Sequence, residues 1–329
     1  MSAYTFADLR TAVVAAIRAP SLHNSQPWRF RLHDGGIEVL IDAERRLPAC
    51  DPTGWAARLS CGAAVFNLRM ALAAAGTPAE VRLRPYAQEP QVVARLTPAP
   101  RRAATPAEEA LFAAIPRRHS NRLPFWPDPV PAAARWRLME AARHEGAWLE
   151  LVIGPAAVAA LGEIARSANR VLERDAAYQA ELTHWIRHGY APDGVPITAG
   201  GPVPETQDLL PQRPFGVRTR APGRDFETEP LVAVLGTTGD TPGDQITAGQ
   251  ALQRVLLTAT DSGLAASMLS QPIEVPAARE ALRLALGRSG TPQLVIRIGY
   301  GQPGWPTPRR DISEVVDGEP ELAAAAISA

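Results

Sequence analysis

Lysine is missing from this chain of 329 residues, and all 34 of its basic residues are arginine. That absence removes Schiff-base chemistry, pyridoxal phosphate attachment and the lysine of a P-loop together. Any phosphate must therefore be held by guanidinium groups, whose planar fork suits the oxygens of a terminal phosphate. Cysteine is nearly absent as well: Cys50 and Cys61 offer neither a CxxC pair nor a disulfide framework, which points to a reducing compartment. Charge of one sign is not in excess, because 34 acidic residues balance the 34 basic ones, so the electrostatic footprint of a nucleic-acid binder is lacking. No apolar run approaches the length of a membrane span, and the start of the chain, with Asp8 and Arg10, lacks an apolar signal core. The expected location is the cytoplasm, with no membrane or nucleic-acid partner.

What is present is enough apolar sequence, 46% of residues, for a sizeable core, and a length that favours two domains or one duplicated unit. Laid on itself so that Gly62 falls on Gly249, the chain matches locally: at that same offset Ala64, Gly76, Ala79 and Pro85 fall on Ala251, Gly263, Ala266 and Pro272. Each copy reads as a helix, a glycine stop and a strand. In the first copy Val65, Phe66, Leu68, Met70 and Leu72 make the helix apolar nearly all round, the mark of an interior helix; Leu252, Val255, Leu256 and Ala259 do the same in the second. Strands are expected at 28–32, 37–41, 148–153, 231–235 and 294–298, each short and rich in aromatic or branched residues. The Pro-, Ala- and Arg-rich stretch 90–106 is expected to join two halves, 1–100 and 101–329. The stretch 188–226 repeats Pro and Gly without periodicity, yet its Val203, Leu209, Leu210, Phe215 and Val217 favour a packed cover over a free linker.

Three segments concentrate polar chemistry. Residues 19–30, APSLHNSQPWRF, put Ser21, Asn24 and Gln26 between Pro20 and Pro27, either as a turn capping its own backbone or as donors and acceptors for a polar heterocycle. Residues 117–125, RRHSNRLPF, set Ser120 between Arg118 and Arg122, either a solvated basic loop or a phosphate clamp. Residues 294–310 run from a strand into GYGQPGWPTPRR. A formal GxGxxG lies there, but Pro303, Pro306 and Pro308 forbid the helix that a dinucleotide fingerprint requires. The segment instead reads as an extended arm carrying Arg309 and Arg310, on the surface or returned to a distant anion. His184 and His188 stand four apart, but no further ligand is suggestively spaced, and no metal site is expected.

Together these segments resemble the flavin-dependent nitroreductase superfamily, in particular its two-halved Acg-type branch, over nearly the whole chain. Residues 19–30 resemble its APSxxNxQPW segment, which implies that Pro20, Ser21, Leu22 and Asn24 reach a flavin. Residues 118–122 resemble its RxSxR signature, which implies that Arg118, His119, Ser120 and Arg122 grip the FMN phosphate and ribityl chain. Residues 263–272 resemble the stretch beside the isoalloxazine, which puts Met268, Leu269 and Ser270 near the ring. The closing segment implies a returning Arg309, with Arg310 second. The order of the first two signatures is reversed relative to single-domain members, so one complete flavin site can be assembled and not two.

The resemblance implies an α+β fold: a nitroreductase-like unit duplicated in one chain, with antiparallel sheets flanked by helices, a pseudo-twofold dimer-like core and a lid at about 188–226, sufficient as a monomer. It implies an FMN-dependent oxidoreductase passing electrons from NAD(P)H to a quinone or nitroaromatic, with no catalytic side chain required because the cofactor carries the chemistry. The competing implication is an FMN-binding or sequestering protein whose lid blocks turnover.

Overall fold

The computed structural model describes residues 4–33, 35–203, 205, 208–216 and 230–318. Pro204, Val217, Pro222, Gly223 and Phe226 of the expected cover lie outside the described residues. In chain order the main elements are α1 (Phe6–Ala16), β1 (Trp28–His33), β2 (Gly36–Ile41), α2 (Trp55–Ala74), β3 (Ala79–Leu83), β4 (Val92–Pro98), α3 (Pro106–Ala114), α4 (Ala132–His144), β5 (Trp148–Val152), α5 (Pro155–Arg174) and α6 (Ala176–His184). There follow β6 (Ile186–Arg187), β7 (Val195–Pro196), β8 (Leu231–Thr237), α7 (Pro242–Asp261), β9 (Ala265–Leu269), α8 (Gln271–Glu274), α9 (Pro276–Leu286), β10 (Thr291–Gly299) and β11 (Val316–Gly318).

Local sequence starts the helices cleanly. Thr5, Thr105 and Thr241 each cap the backbone three residues on while Asp8, Glu108 and Asp244 answer in a reciprocal capping box, and Pro106 and Pro242 occupy the first helical turn where no N–H is needed. The strands form two main sheets, giving the α+β architecture. A five-stranded sheet has the order β11-β1-β2-β4-β3, antiparallel except where β11 runs parallel to β1; a four-stranded antiparallel sheet has the order β5-β8-β10-β9.

The five expected strands are found at β1, β2, β5, β8 and β10 within a residue or two at most edges. The stretch 90–106 needs correction. Its first part is β4, inserted between β2 and β3, with Val92, Val93, Ala94 and Leu96 buried; the connection is only 99–105. Neighbouring prolines masked a short run whose apolar residues are buried by tertiary pairing. The C-terminal strand β11 also returns to the sheet made by the first hundred residues.

Helices α2 and α7 pack against each other between the sheets. Each is 20 residues long, and their first residues, Trp55 and Pro242, stand at the same offset as the matched Gly62 and Gly249. They touch at glycines: a Cβ on Gly62 would fall 2.2 Å from the Ile246 carbonyl oxygen, and one on Gly249 2.0 Å from that of Leu59. The crossing is pinned by polar ties, Gln253 Nε2 donating to Asn67 Oδ1 at 2.7 Å and Arg58 Nε donating to Gln245 Oε1 at 2.6 Å. Each helix also reaches across, since Ile246 and Leu257 enter the core beneath the first sheet and Trp55, Ala56 and Leu59 enter that of the second. The start of α2 therefore lies against the second sheet, which opens the site.

Candidate functional site

A cavity, partly open to solvent, lies where residues 20–23, the first turns of α2, the loop 120–122, and β9 with residues 267–271 converge. Pro20, Ser21 and Leu22 line it, as do Ser120, Arg122, Met268, Leu269 and Ser270. The Arg-Ser loop is brought to β9 by the backbone: Asn121 N–H donates to the Ala266 carbonyl at 2.8 Å, and Ser120 bridges Ala266 in parallel sense. Behind the loop, Arg297 of β10 donates to the carbonyls of Asn121 and Leu123 at 3.0 and 2.9 Å, a positioning role that its place in a strand pattern concealed.

The other cations separate into two ends. Arg118 follows α3, its N–H continuing the helix to the Ala114 carbonyl, and its guanidinium reaches the Arg18 carbonyl at 3.2 Å. Arg309 returns along the C-terminal arm and donates to the same carbonyl at 3.3 Å, to Ala19 O at 3.1 Å and to Asn24 Oδ1 at 2.9 Å. Arg118 is buried, and Arg309 is half-buried with its Nε shielded from solvent. Arg118 Nε and Nη1 and Arg309 Nε have no hydrogen-bond partner, and no carboxylate among the described residues bonds either group. Burial pushes the Arg118 guanidinium down to about 10, and burial, helped by Arg118 and Arg18, pushes Arg309 down to about 9. His119 is half-buried in the same field, lowered first by desolvation and then by Arg118, Arg309 and Arg18.

Arg122 faces the cavity instead, half-buried, pushed down to about 10 by desolvation and Arg213, and bonded to the Ala199 carbonyl at 3.1 Å. Asn24 does not line the cavity. Its Nδ2 donates to Gly194 O at 2.9 Å and Pro308 O at 3.1 Å, so it ties the turn to the cover and to the arm that carries Arg309. Arg310, the second choice for the returning cation, goes elsewhere. It pairs with Asp42 at 3.4 Å, donates to the Glu314 carbonyl at 2.8 Å and holds the arm against β1 and β2.

The expected packed cover contributes a wall. Phe215 and Leu210 are buried while Val203 is exposed, and Phe215 joins Leu47, Tyr178, Trp185 and Val195 in a small apolar cluster of its own. From this segment Gln212, Arg213 and Phe215 line the cavity. Arg213 is held by a buried ion pair with Glu274, by Ser270 Oγ at 2.9 Å and by Tyr178 Oη at 3.0 Å. His23, also in the lining, has neither ring nitrogen bonded to any of the described residues and stands edge-on to Phe215 at 5.8 Å. His23, Gln212 and Arg213 were not singled out by sequence; only the long-range packing of the cover gives them a shared wall. No group of three or more His, Cys, Asp or Glu among the described residues is placed to hold a metal ion.

The nitroreductase family model matches residues 115–300. Two Mycobacterium tuberculosis proteins whose names read "Putative NAD(P)H nitroreductase", acg and Rv3131, are each 33% identical to this chain, over 93% and 95% of it and 94% and 92% of their own lengths. Among solved structures, the FMN-dependent nitroreductase NfnB from Mycobacterium smegmatis in complex with NADPH is similar over 64% of this chain and 98% of its own, at 20% identity and a TM-score of 0.41.

Proposed function

The chain belongs to the nitroreductase family, and from that membership we propose that it is an oxidoreductase that holds one FMN and moves electrons from NAD(P)H to a quinone or nitroaromatic. The observation that carries this reading is the pair of buried Arg118 and half-buried Arg309, whose three unbonded nitrogens are shielded from solvent and face no anion of the protein among the described residues. Burying an unpaired cation is costly, and two together repel, so the arrangement is favourable only when an anion joins it. A terminal phosphate has the charge and the oxygens to take guanidinium donors from both. The donor set therefore fits FMN, with the phosphate end at Arg118 and Arg309 and the ring end in the cavity beyond Ser120.

Bound FMN would supply hydride transfer at its N5. The chain's part is to bind, orient and exclude water. Arg118, His119, Ser120 and Arg309 would hold the phosphate and ribityl chain. Pro20, Ser21 and Leu22 would flank the ring on one side and Met268, Leu269 and Ser270 on the other. Arg122, with no carboxylate among the described residues bonded to it, is a fixed positive charge that favours negative charge developing beside it. Hydride transfer needs no side-chain acid or base, and none is assigned.

The equal helices α2 and α7, starting at matched positions and meeting at Gly62 and Gly249, support two halves, 1–100 and 101–329, related by a pseudo-twofold within one chain. A monomer then suffices. A second reading, a holder of FMN with little turnover, draws on the latched wall made by Arg213 and Phe215. Anaerobic mixing of the yellow protein with NADH and with NADPH, following flavin absorbance, separates the two. Fast bleaching reversed by a quinone establishes the reductase; colour that persists although dithionite bleaches it establishes the holder; colourless protein that FMN cannot reconstitute sinks both.

A further inference from the structure

Between Pro20 and Pro27 the backbone takes a left-handed conformation at three residues that are not glycine: His23 at φ +53°, Asn24 at +55° and Gln26 at +53°. Each costs about 1–2 kcal/mol, so the strain needs an offset. Asn24 finds it in bonds to Gly194 O, Pro308 O and Arg309. Gln26 finds it in bonds to Pro192 O at 2.8 Å and to the Arg310 N–H at 2.9 Å. His23 gains nothing comparable. It is 3% exposed, lines the cavity, and neither Nδ1 nor Nε2 has a hydrogen-bond partner among the described residues. A buried imidazole left unbonded costs about 1–3 kcal/mol, a penalty that a ligand in the cavity can remove.

Resting on the flavin reading above, we propose that His23 touches the second substrate, its imidazole N–H donating to a carbonyl or nitro oxygen of a planar aromatic oxidant, with Phe215 and Arg122 completing the subsite. Phe215 stands edge-on to His23 at 5.8 Å and carries Arg122 over its ring at 4.8 Å, so one apolar ring and two donors share this wall. Burial, together with the nearby Arg213 and Arg122, keeps the imidazole well below its ordinary value and hence neutral, with one donor and one acceptor nitrogen. Among the described residues, those that line the cavity include Arg122 and Arg213 and no carboxylate, which favours an electron-rich oxygen over a cation. For a quinone the balance is one hydride from the reduced flavin and one proton from solvent, giving the hydroquinone. His23 is neither the hydride nor the proton source; it polarises and orients the oxygen that gains charge.

The test uses the full chain and 2-methyl-1,4-naphthoquinone in two readouts, equilibrium binding to the oxidised protein and steady-state turnover. In His23→Phe, flavin content and anaerobic bleaching by NAD(P)H are expected to match the wild type within about threefold. Its naphthoquinone Kd is expected to rise, and its kcat/KM for the quinone to fall, by about tenfold or more, the loss of one good hydrogen bond. His23→Asn, which keeps a donor and tolerates the left-handed backbone, recovers part of both. Unchanged quinone binding and kcat/KM in His23→Phe would overturn the assignment. Protein that cannot be loaded with FMN sinks the flavin reading separately, and the same naphthoquinone titration on the flavin-free chain then upholds His23 if binding depends on it and rejects it if not.

Discussion

Arg118 and Arg309, far apart in sequence, donate to one carbonyl oxygen, that of Arg18, at 3.2 and 3.3 Å. Such a pair is destabilising alone and stabilising with a phosphate. Added FMN should stabilise the fold and raise the melting temperature, the gain in stability reaching about 2.7 kcal/mol when the ligand is 100-fold above its Kd. In Arg118→Met the increment should vanish, while the flavin-free protein keeps or gains stability because an unpaired buried cation has been removed. Thermal denaturation with and without FMN reads both effects, and an intact FMN-dependent shift in the variant rejects the phosphate assignment.

The sequence announced much of this site because its signals are local. Pro20 and Pro27 frame a turn, Ser120 sits between two arginines, and the prolines after Gly299 forbid a helix, all without knowledge of the fold. What it concealed depends on distant packing. Arg309 and Arg310 are adjacent and identical, yet one turns to Arg18 and Asn24 and the other to Asp42 and Glu314. Which neighbour faces which side of an extended arm is set by the parallel pairing of β11 with β1, not by composition. His23 was hidden in the same way, since a histidine in a polar turn carries no mark of burial until Phe215 arrives from the far side of the sequence. β4 was lost among prolines for a similar reason.

Close approach of α2 and α7 depends on hydrogen atoms at Gly62 and Gly249, because a Cβ at either would meet a backbone oxygen at 2.2 or 2.0 Å. Neither oxygen belongs to a flexible side chain that can step aside, so the helices must separate. Gly62→Ala and Gly249→Ala should each lose about 3 kcal/mol or more, beyond the gain in helix propensity of about 1 kcal/mol. Urea denaturation measures it. Variants as stable as the wild type would refute the tight crossing and, with it, the support it lends to the dimer-like core.

The cover is fixed at one point by charge: Arg213 to Glu274, both buried, with Tyr178 and Ser270 attached to the same guanidinium. Removing one partner would strand a buried charge at a cost of about 3–5 kcal/mol, so a single substitution confuses access with stability. The double variant Arg213→Met with Glu274→Met removes both charges and should remain folded within about 1–2 kcal/mol of the wild type. If this latch limits entry, anaerobic flavin reduction by NAD(P)H in the double variant should be at least tenfold faster. An unchanged rate would mean that Arg213 and Phe215 are a permanent wall, as the holder reading requires.

Asp51 stands just before α2 with Oδ2 accepting the Ala57 N–H at 2.9 Å, and burial raises its carboxyl to about 6, a shift that backbone bonds and Arg58 only partly oppose. Because the folded value lies above the unfolded value of 3.8, the native state holds this proton more tightly, so the associated stability is full below about pH 4 and is lost as pH rises through 6. At neutral pH the buried charge then costs up to about 3 kcal/mol. Asp51→Asn keeps an acceptor for Ala57 without the charge. Its stability should match the wild type near pH 4 and exceed it increasingly between pH 5 and 7, levelling off above. Chemical denaturation across that range checks the sign: a difference that stays constant with pH would mean that Asp51 ionises as it does in the unfolded chain, and one that moves the other way would mean that its backbone bonds outweigh its burial.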